Sequence, residues 1–491
     1  MSIMRELQAR NLASAKVFSY FEEFSAIPHG SRNTRQISDY LAAFARAHEL
    51  EYYQDDAGNV VMIQEASAGY EDTAPIIIQG HMDMVCEKEN GCGIDFAKDG
   101  LKLYVDGDFL KAEGTTLGGD DGIAVAYALA ILDSPEIAHP RLEVVLTVDE
   151  EIGMSGAAVI DLSMLKGHTL LNIDSDIEGH FLMSCAGGMT VETKIPVDYI
   201  SERGLVMKIA VTGLLGGHSG SEIDKERANA NIVMGRALKY ISDRMEMGII
   251  SLSGGLKDNA IPREATAELL IPAEKKGEFS RYLEELEEVL KKEYAISDPG
   301  LYLAVEEGEE GETEILSCSA MTKVIFYLRS APNGVQHMSC VMPGLVETSL
   351  NLGILTLTRE CLAMTTSVRS SVSSRKEEVC GRLTFLAEFL GGEIFINGDY
   401  PAWEYRMDSP LRNMIQKVYR ELFGKEPVFE AIHAGLECGI LSGKIADLDC
   451  VSFGPDNYDI HTPKERLSIS STERVWKLLI ELLKQKGIHA S

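Results

Sequence analysis

Three apolar runs in the N-terminal part of the chain each end in acids or a histidine, and this repetition restricts the fold more than any other feature. Ile76 to Ile78, bounded by Pro75 and Gly80, leads into His81-Met-Asp83. Leu142 to Val148 leads into Asp149-Glu150-Glu151, and His168 to Ile173 leads into Asp174-Ser-Asp176. Short β-branched apolar runs of this kind read as strands buried on both faces of a parallel sheet. With helix or loop between them, they give the βαβ rhythm of a doubly wound α/β domain. Such sheets place their ligands beyond the C-terminal strand ends, where this chain collects its His and carboxylates. Residues two apart in extended chain face the same side, so His81 and Asp83 can point together. That pair fits a metal-ligating imidazole held by an acid; it also fits a polar strand end with a solvated His. Three consecutive acids after an apolar strand are costly unless solvated, hydrogen-bonded or paired with a cation.

Between the first two runs, Gly114-Thr-Thr-Leu-Gly-Gly-Asp-Asp-Gly122 feeds a helix expected over Ile123 to Leu132. No Lys-Ser/Thr pair follows the glycines, which excludes a P-loop. Asp120 and Asp121 fall at the helix N-terminus, where the dipole favours a carboxylate; Asp121 can be read as an acidic cap. His81, Asp83, Asp120, Glu150, Glu151 and Asp174 thus pool in one crevice. One His among several carboxylates suits a two-metal site for Zn²⁺ or Mn²⁺, and imidazole argues against Ca²⁺. A second His is wanted, and His461 offers it in the loop after a strand over Asp449 to Phe453.

The net charge of −30, from 76 acidic and 46 basic residues, argues against nucleic acid or anionic membrane as a partner. Nine cysteines without paired spacing point to a reducing compartment and no disulfide framework. Met1 to Ser25 has no apolar core of a signal peptide and reads as an amphipathic helix through Val17, Phe18, Phe21 and Phe24. No apolar stretch is long enough to span a membrane. The expected location is the cytoplasm.

A chain of 491 residues predicts two domains. The doubly wound rhythm breaks after Gly187-Gly188 and resumes after Tyr400-Pro401. Residues 1–185 and 405–491 are therefore expected to form one discontinuous domain, with 186–404 inserted as an α+β lid. Within the insertion, Ile249 to Val305 and Val346 to Asn397 both read strand, strand, helix, strand, so the lid is expected to consist of two similar halves.

The ordered set of motifs resembles the M20 metallopeptidases, and within them the aminoacyl-histidine dipeptidase branch. It is carried by Gly80-His-Met-Asp-Met-Val85, Thr115-Thr-Leu-Gly-Gly-Asp-Asp-Gly122, Val148-Asp-Glu-Glu-Ile-Gly153, Leu171-Asn-Ile-Asp-Ser175, Gly216-Gly-His-Ser-Gly220, Asn259-Ala-Ile-Pro-Arg-Glu264, His433-Ala-Gly-Leu-Glu-Cys438 and His461-Thr-Pro-Lys-Glu-Arg466. The resemblance implies that His81 and Asp174 hold one divalent ion, that Glu151 and His461 hold the other, and that Asp120 bridges them. Zn²⁺ is the first expectation, with Mn²⁺ or Co²⁺ as alternatives. Asp83 would orient His81. Glu150 would be the general base; the sequence alone leaves open which Glu of the pair binds metal. In the insertion, His218 would stabilise the oxyanion, Asn259 and Arg369 would grip the substrate carboxylate, and Gly435 would let the substrate backbone approach. The implied activity is hydrolysis of dipeptides with a free C-terminus. A tripeptidase, an aminopeptidase or an N-acyl amino acid deacylase on the same scaffold is the alternative, and a homodimer is a compatible assembly. One departure stands between Asp224 and Arg227, where the family pattern has a His-like residue and a nearby glycine.

Overall fold

The computed structural model describes residue 7 and residues 10–486. Positions 1–6 and 8–9 of the expected N-terminal helix lie outside the described residues. The chain divides into two compact units. One takes the chain up to Ser184, then Tyr405–Ala431 and Leu436 onward; the other takes Cys185–Glu404 together with Ile432–Gly435.

The first unit is built on an eight-stranded sheet. Its order is Glu51–Gln54, Val60–Gln64, Leu142–Thr147, Ile76–His81, Thr169–Asn172, Asp449–Ser452, His180–Cys185 and Val428–Ile432. The four middle strands run parallel. The flanks are antiparallel, on one side through Val60–Gln64 and on the other through His180–Cys185. The mostly parallel sheet expected from the sequence is therefore parallel at its centre. All six residues of Ile76–His81 are buried, as are all six of Leu142–Thr147, which is why these strands read as continuous rather than alternating apolar runs.

Helix Gly119–Leu132 is buried at every residue except Asp120. Its small Ala-rich faces allow that burial, and Gly80 completes it: a Cβ there would meet Ala124 Cβ at 2.4 Å. Helix Ala15–Ser25 buries Val17, Phe18, Phe21 and Phe24, the expected stripe. Each of these side chains stabilises the fold by roughly 1.5–3 kcal/mol relative to exposure. Helix Arg35–Ala47 likewise buries Ile37, Leu41, Phe44 and Ala45. Among the described residues, no helix is long and apolar enough to cross a membrane.

The inserted unit holds a nine-stranded antiparallel sheet. Its first half is ordered Tyr302–Leu316, Tyr199–Thr212, Ala265–Ile271, Gly248–Gly254; its second half continues Val346–Leu357, Cys361–Ser370, Gly187–Pro196, Glu393–Tyr400. The remaining strand, Gly334–Met338, pairs with Val346–Leu357. Each half is one four-stranded sheet of the same order with two helices: Ala230–Ser242 and Lys276–Glu293 in the first, Cys318–Ser330 and Ser373–Phe389 in the second. Within the sheet the halves are joined by a two-pair ladder, Ser253 with Thr356 and Gly254 with Leu355. Polar side chains add to that seam. Asn229 caps helix Ala230–Ser242, and Asn229 and Asn231 each donate to the Leu352 carbonyl, at 3.1 and 3.0 Å. One correction concerns chain order. The outer middle strand of the second half, Gly187–Pro196, comes from the very start of the insertion, so the halves are interwoven rather than consecutive. The strand expected over Leu301 to Val305 also runs on through a series of glutamates to Leu316, because its partner Tyr199–Thr212 supplies a full antiparallel ladder at an exposed edge.

Candidate metal centre

The C-terminal ends of the parallel strands in the first unit bring together His81, Asp120, Glu151, Asp174 and His461. The Ile76–His81 strand delivers His81 into the interior, where it is 1% exposed. Its Nδ1 lies 3.0 Å from the Asp83 carbonyl and 3.5 Å from Asp83 Oδ1. Either contact holds a proton on Nδ1 and aims Nε2 into the crevice, where it would serve as a ligand once a cation replaced the proton there. Nε2 lies 3.1 Å from Asp120 Oδ1 and 3.8 Å from Asp174 Oδ1. The other oxygen of Asp120, Oδ2, lies 3.1 Å from His461 Nε2, which is also 3.0 Å from Glu151 Oε1. One carboxylate thus faces both imidazoles, with an acid on each side. The donor atoms of His81, Asp120 and Glu151, and those of His81, Asp121 and Asp174, lie within 4.8 Å of one another.

Glu150 and Glu151 do not extend a strand. The Leu142–Thr147 strand ends, Asp149 turns with φ 56°, and the two acids follow in a turn. Glu151 turns toward His461. Glu150 is fixed by its main chain, whose N–H donates to Asp83 Oδ1 at 3.1 Å, while Asp83 Oδ2 accepts from Ser31 Oγ at 2.8 Å. Asp83 therefore sets the place of both His81 and Glu150.

The charge balance is a test of whether cations fit here. Burial would lower the pKa of His81, but hydrogen bonds to Asp120 and Asp83 and the charge of Asp174 raise it well above the usual range. Hydrogen bonds to Asp120 and Glu151 push His461 up to about 10. Burial opposes ionisation of Asp120, yet its bonds to His461 and His81 hold it low. The other acids are short of positive charge. Burial, then the charges of Glu437, Glu151 and Asp120, push Glu150 up to about 8 despite the opposing His81. Burial and Asp121 raise Asp174, and burial with Asp120 and Glu465 pushes Asp176 up to about 8. Two imidazoles do not neutralise this many buried carboxylates, whereas two divalent ions would. The mixed imidazole and carboxylate donors suit Zn²⁺, Mn²⁺ or Co²⁺.

Three acids inside the quoted motifs take places that the sequence does not assign. Asp121 does not act as a cap: its Oδ2 accepts from the His81 N–H at 3.1 Å, and a cis peptide joins it to Asp120. Glu437 is fully buried and accepts from Gln79 Nε2 at 2.5 Å and Thr147 Oγ1 at 2.6 Å; burial leads in pushing it up to about 7. Glu465 is buried against the glycine-rich loop. Nothing in spacing or periodicity separates these acids from the many exposed ones.

The inserted unit gathers the other expected residues. His218 pairs with Ala260 across a two-residue ladder, and the Ser219 N–H donates to the Asn259 carbonyl at 2.9 Å, so His218 and Asn259 are neighbours. His218 Nδ1 accepts from the N–H groups of Gly220 and Ser221 at 3.2 and 3.1 Å. The ring proton therefore sits on Nε2, which is left as a donor. Burial, then the charge of Arg369, lowers the pKa of His218 and keeps it neutral. The departure at residues 224–227 has a structural part to play. Glu222 accepts the His218 N–H at 2.9 Å and pairs with Arg227 at 3.2 Å, while Arg227 also donates to the Gly216 carbonyl, bracing the His218 turn.

Arg369 stands opposite Ser349 and Gly188 in the sheet. Its Nη1 donates to the Tyr400 hydroxyl at 3.3 Å, and its buried Nε has no partner among the described residues. Ser349 Oγ lies 2.7 Å from His433 Nε2. Burial, then Arg369 and His218, lower His433 to about 3, so it is neutral at pH 7. Gly435 follows two residues later, in the Ile432–Gly435 segment that clusters with this unit.

A family model, peptidase family M20/M25/M40, matches residues 77–485. The chain is 36% identical over 476 residues to the cytosol non-specific dipeptidase of Escherichia coli K12, covering 96% of this chain and 98% of that protein. It is similar to the crystal structure of aminoacylhistidine dipeptidase from Vibrio alginolyticus, with TM-score 0.91, 34% identity and 98% of each chain covered. Aminopeptidase PepT from Bacillus cereus shares the fold, with TM-score 0.55 and 14% identity over 96% of this chain and 98% of that one.

Proposed function

The chain belongs to peptidase family M20/M25/M40, and from that premise we propose that it is a two-metal dipeptidase of Xaa-His type and broad specificity, acting in the cytoplasm on dipeptides with a free C-terminus. The observation that carries the reading is Asp120, whose two oxygens face His81 and His461 while Asp174 and Glu151 flank them. His81 and Asp174 would hold one ion, Glu151 and His461 the other, and Asp120 both. Zn²⁺ is the first choice, ahead of Mn²⁺ and Co²⁺. When bound, such ions polarise the scissile carbonyl and acidify the attacking water.

The rest of the reaction falls to side chains. Glu150, left free by Glu151, takes a proton from the attacking water and delivers it to the leaving amine. Asp83 keeps it in place through its main-chain N–H. His218, with its proton on Nε2, donates to the developing oxyanion. Asn259 and Arg369 take the substrate's terminal carboxylate, the unpartnered Nε of Arg369 offering one arm of a guanidinium fork. Gly435 leaves room for the substrate backbone.

The test is hydrolysis of Ala-Ala, Gly-His, β-Ala-His, a tripeptide and N-acetyl-Met by protein reconstituted with Zn²⁺, Mn²⁺ or Co²⁺. Dipeptides, with Xaa-His among them, are expected to be cleaved, and prolonged chelation is expected to abolish the activity. Full activity in excess chelator, or preference for the tripeptide or the acylated amino acid, would defeat the proposal.

A further inference from the structure

The glycine-rich loop before helix Gly119–Leu132 looks like a loop made to cradle an anion, and it does hold one: the chain's own Glu465. Glu465 Oε2 accepts from the N–H groups of Leu117 and Gly118 at 2.7 and 3.0 Å. Oε1 accepts from those of Gly119 and Asp120 at 2.8 and 3.3 Å, and from Asn457 Nδ2 at 3.2 Å. The carboxylate is buried, with the residue 3% exposed. Gly119 admits it, since a Cβ there would meet Glu465 Oε1 at 3.1 Å and Asn457 Nδ2 at 2.9 Å.

The fourth amide in that nest belongs to Asp120, the carboxylate that faces both imidazoles. Glu465 also sits on the same turn as His461: its N–H donates to the Thr462 carbonyl at 3.1 Å, and Thr462 Oγ1 donates to the Asp459 carbonyl at 2.7 Å. A single turn therefore touches Asp120 twice, at its side chain through His461 and at its main chain through Glu465. Without the carboxylate, four buried N–H groups lose their acceptor, and the loop is free to carry Asp120 away from the line between His81 and His461.

We propose that Glu465 is a positioning residue for the metal centre, holding Asp120 in the orientation that lets one carboxylate serve two ions. The inference rests on the two-metal reading above and deepens it.

Titration of the metal-free full chain with Co²⁺, followed by its visible absorption, reads the binding of each ion. Wild type is expected to take up two. Glu465→Gln keeps the size but turns an amide N–H₂ toward backbone donors. It is expected to weaken at least one ion by about 10–100-fold, the usual effect of losing a group that orients a ligand. The far-UV circular dichroism of the metal-free variant is expected to remain that of wild type. Co²⁺ affinities within about twofold of wild type would overturn the inference, whatever the thermal midpoint does, because Glu465 would then be a staple of the fold only. Should Glu465→Gln fail to fold, Asn457→Ala removes one bond to the same carboxylate; several-fold weaker Co²⁺ binding supports the inference, and unchanged binding overturns it. A wild type that binds no Co²⁺ would defeat the metal reading itself. Two ions bound equally by wild type and variant would defeat this inference alone.

Discussion

Around His81 the buried groups in excess are carboxylates; around Arg369 they are donors. In the first unit Glu150, Asp174, Asp176 and Glu437 are all pushed toward the protonated form. In the inserted unit His218 and His433 are pushed toward neutrality, and Arg369 keeps a buried N–H without a partner among the described residues. Both clusters carry an unmet demand, of opposite sign. The first asks for cations, the second for an anion. A dipeptide attacked at its carbonyl presents an anion in two places, at the oxyanion and at the terminal carboxylate.

The largest expected effect tests the first cluster. Glu150→Gln should lower turnover by about 10²–10⁴-fold with metal content unchanged, whereas Glu151→Gln should lower metal content, read by atomic emission. Reversed stoichiometries would show that the pair is assigned the wrong way round.

Next comes the donor cluster. His218→Ala should lower kcat by about 10²–10³-fold, as loss of an oxyanion donor does, with the KM for Gly-His changed little. A change confined to KM would assign His218 to ground-state binding instead.

Arg369→Ala should cost about 1.5–3 kcal/mol in kcat/KM for dipeptides, the range for a hydrogen bond to a charged group. The loss should be much smaller for their C-terminal amides. Equal losses on acids and amides would remove Arg369 from the substrate and leave it a partner of Tyr400.

The last comparison concerns stability, and here the opposite signs predict opposite pH dependence. His433 has its pKa lowered from 6.5 to about 3. The unfolded chain therefore binds that proton first, so its contribution to stability is complete above pH 6.5 and lost as pH falls toward 3. Glu150 is raised from 4.5 to about 8 in the metal-free protein, so its contribution is complete below pH 4.5 and lost as pH rises toward 8. Urea unfolding in chelator should show His433→Gln flattening the acid side of the profile and Glu150→Gln the alkaline side. Parallel profiles for wild type and both variants would break the contrast.

The two clusters were not equally legible in the sequence. His81, Asp83, Glu150, Glu151 and Asp174 stand directly after buried strands, and a parallel sheet brings all such ends to one edge, so periodicity alone pools them. His218 and Arg369 are placed by antiparallel pairing, Asn259 beside the first and His433 by its contact with Ser349, between segments far apart in the chain, and only the family pattern points to the first three. Burial decided what neither route supplied. Glu437 and Glu465 lie inside motifs that carry the family resemblance, but only the closed fold shows their burial, and the strand through Glu306 to Glu314 has no apolar alternation because it lies at an open edge. Gly187–Pro196 alternates as a strand should, but its place in the second half is fixed by partners on the far side of the insertion.

That last strand bears on how the protein is made. Gly187–Pro196 pairs with Cys361–Ser370 on one side and Glu393–Tyr400 on the other, and it buries Met189, Val191 and Ile195. As the chain leaves the ribosome, both neighbours are still unsynthesised. At ordinary rates of elongation the wait is roughly 10–40 s. Throughout that time an apolar strand with two open edges is available to any other nascent chain, which is the template that aggregation uses. The second half of the insertion can close only after Tyr400 has emerged. Synthesis of this protein should therefore lean on chaperones that shield exposed strands, and a truncation that removes residues 346–400 would leave Gly187–Pro196 unpaired rather than yield a smaller lid.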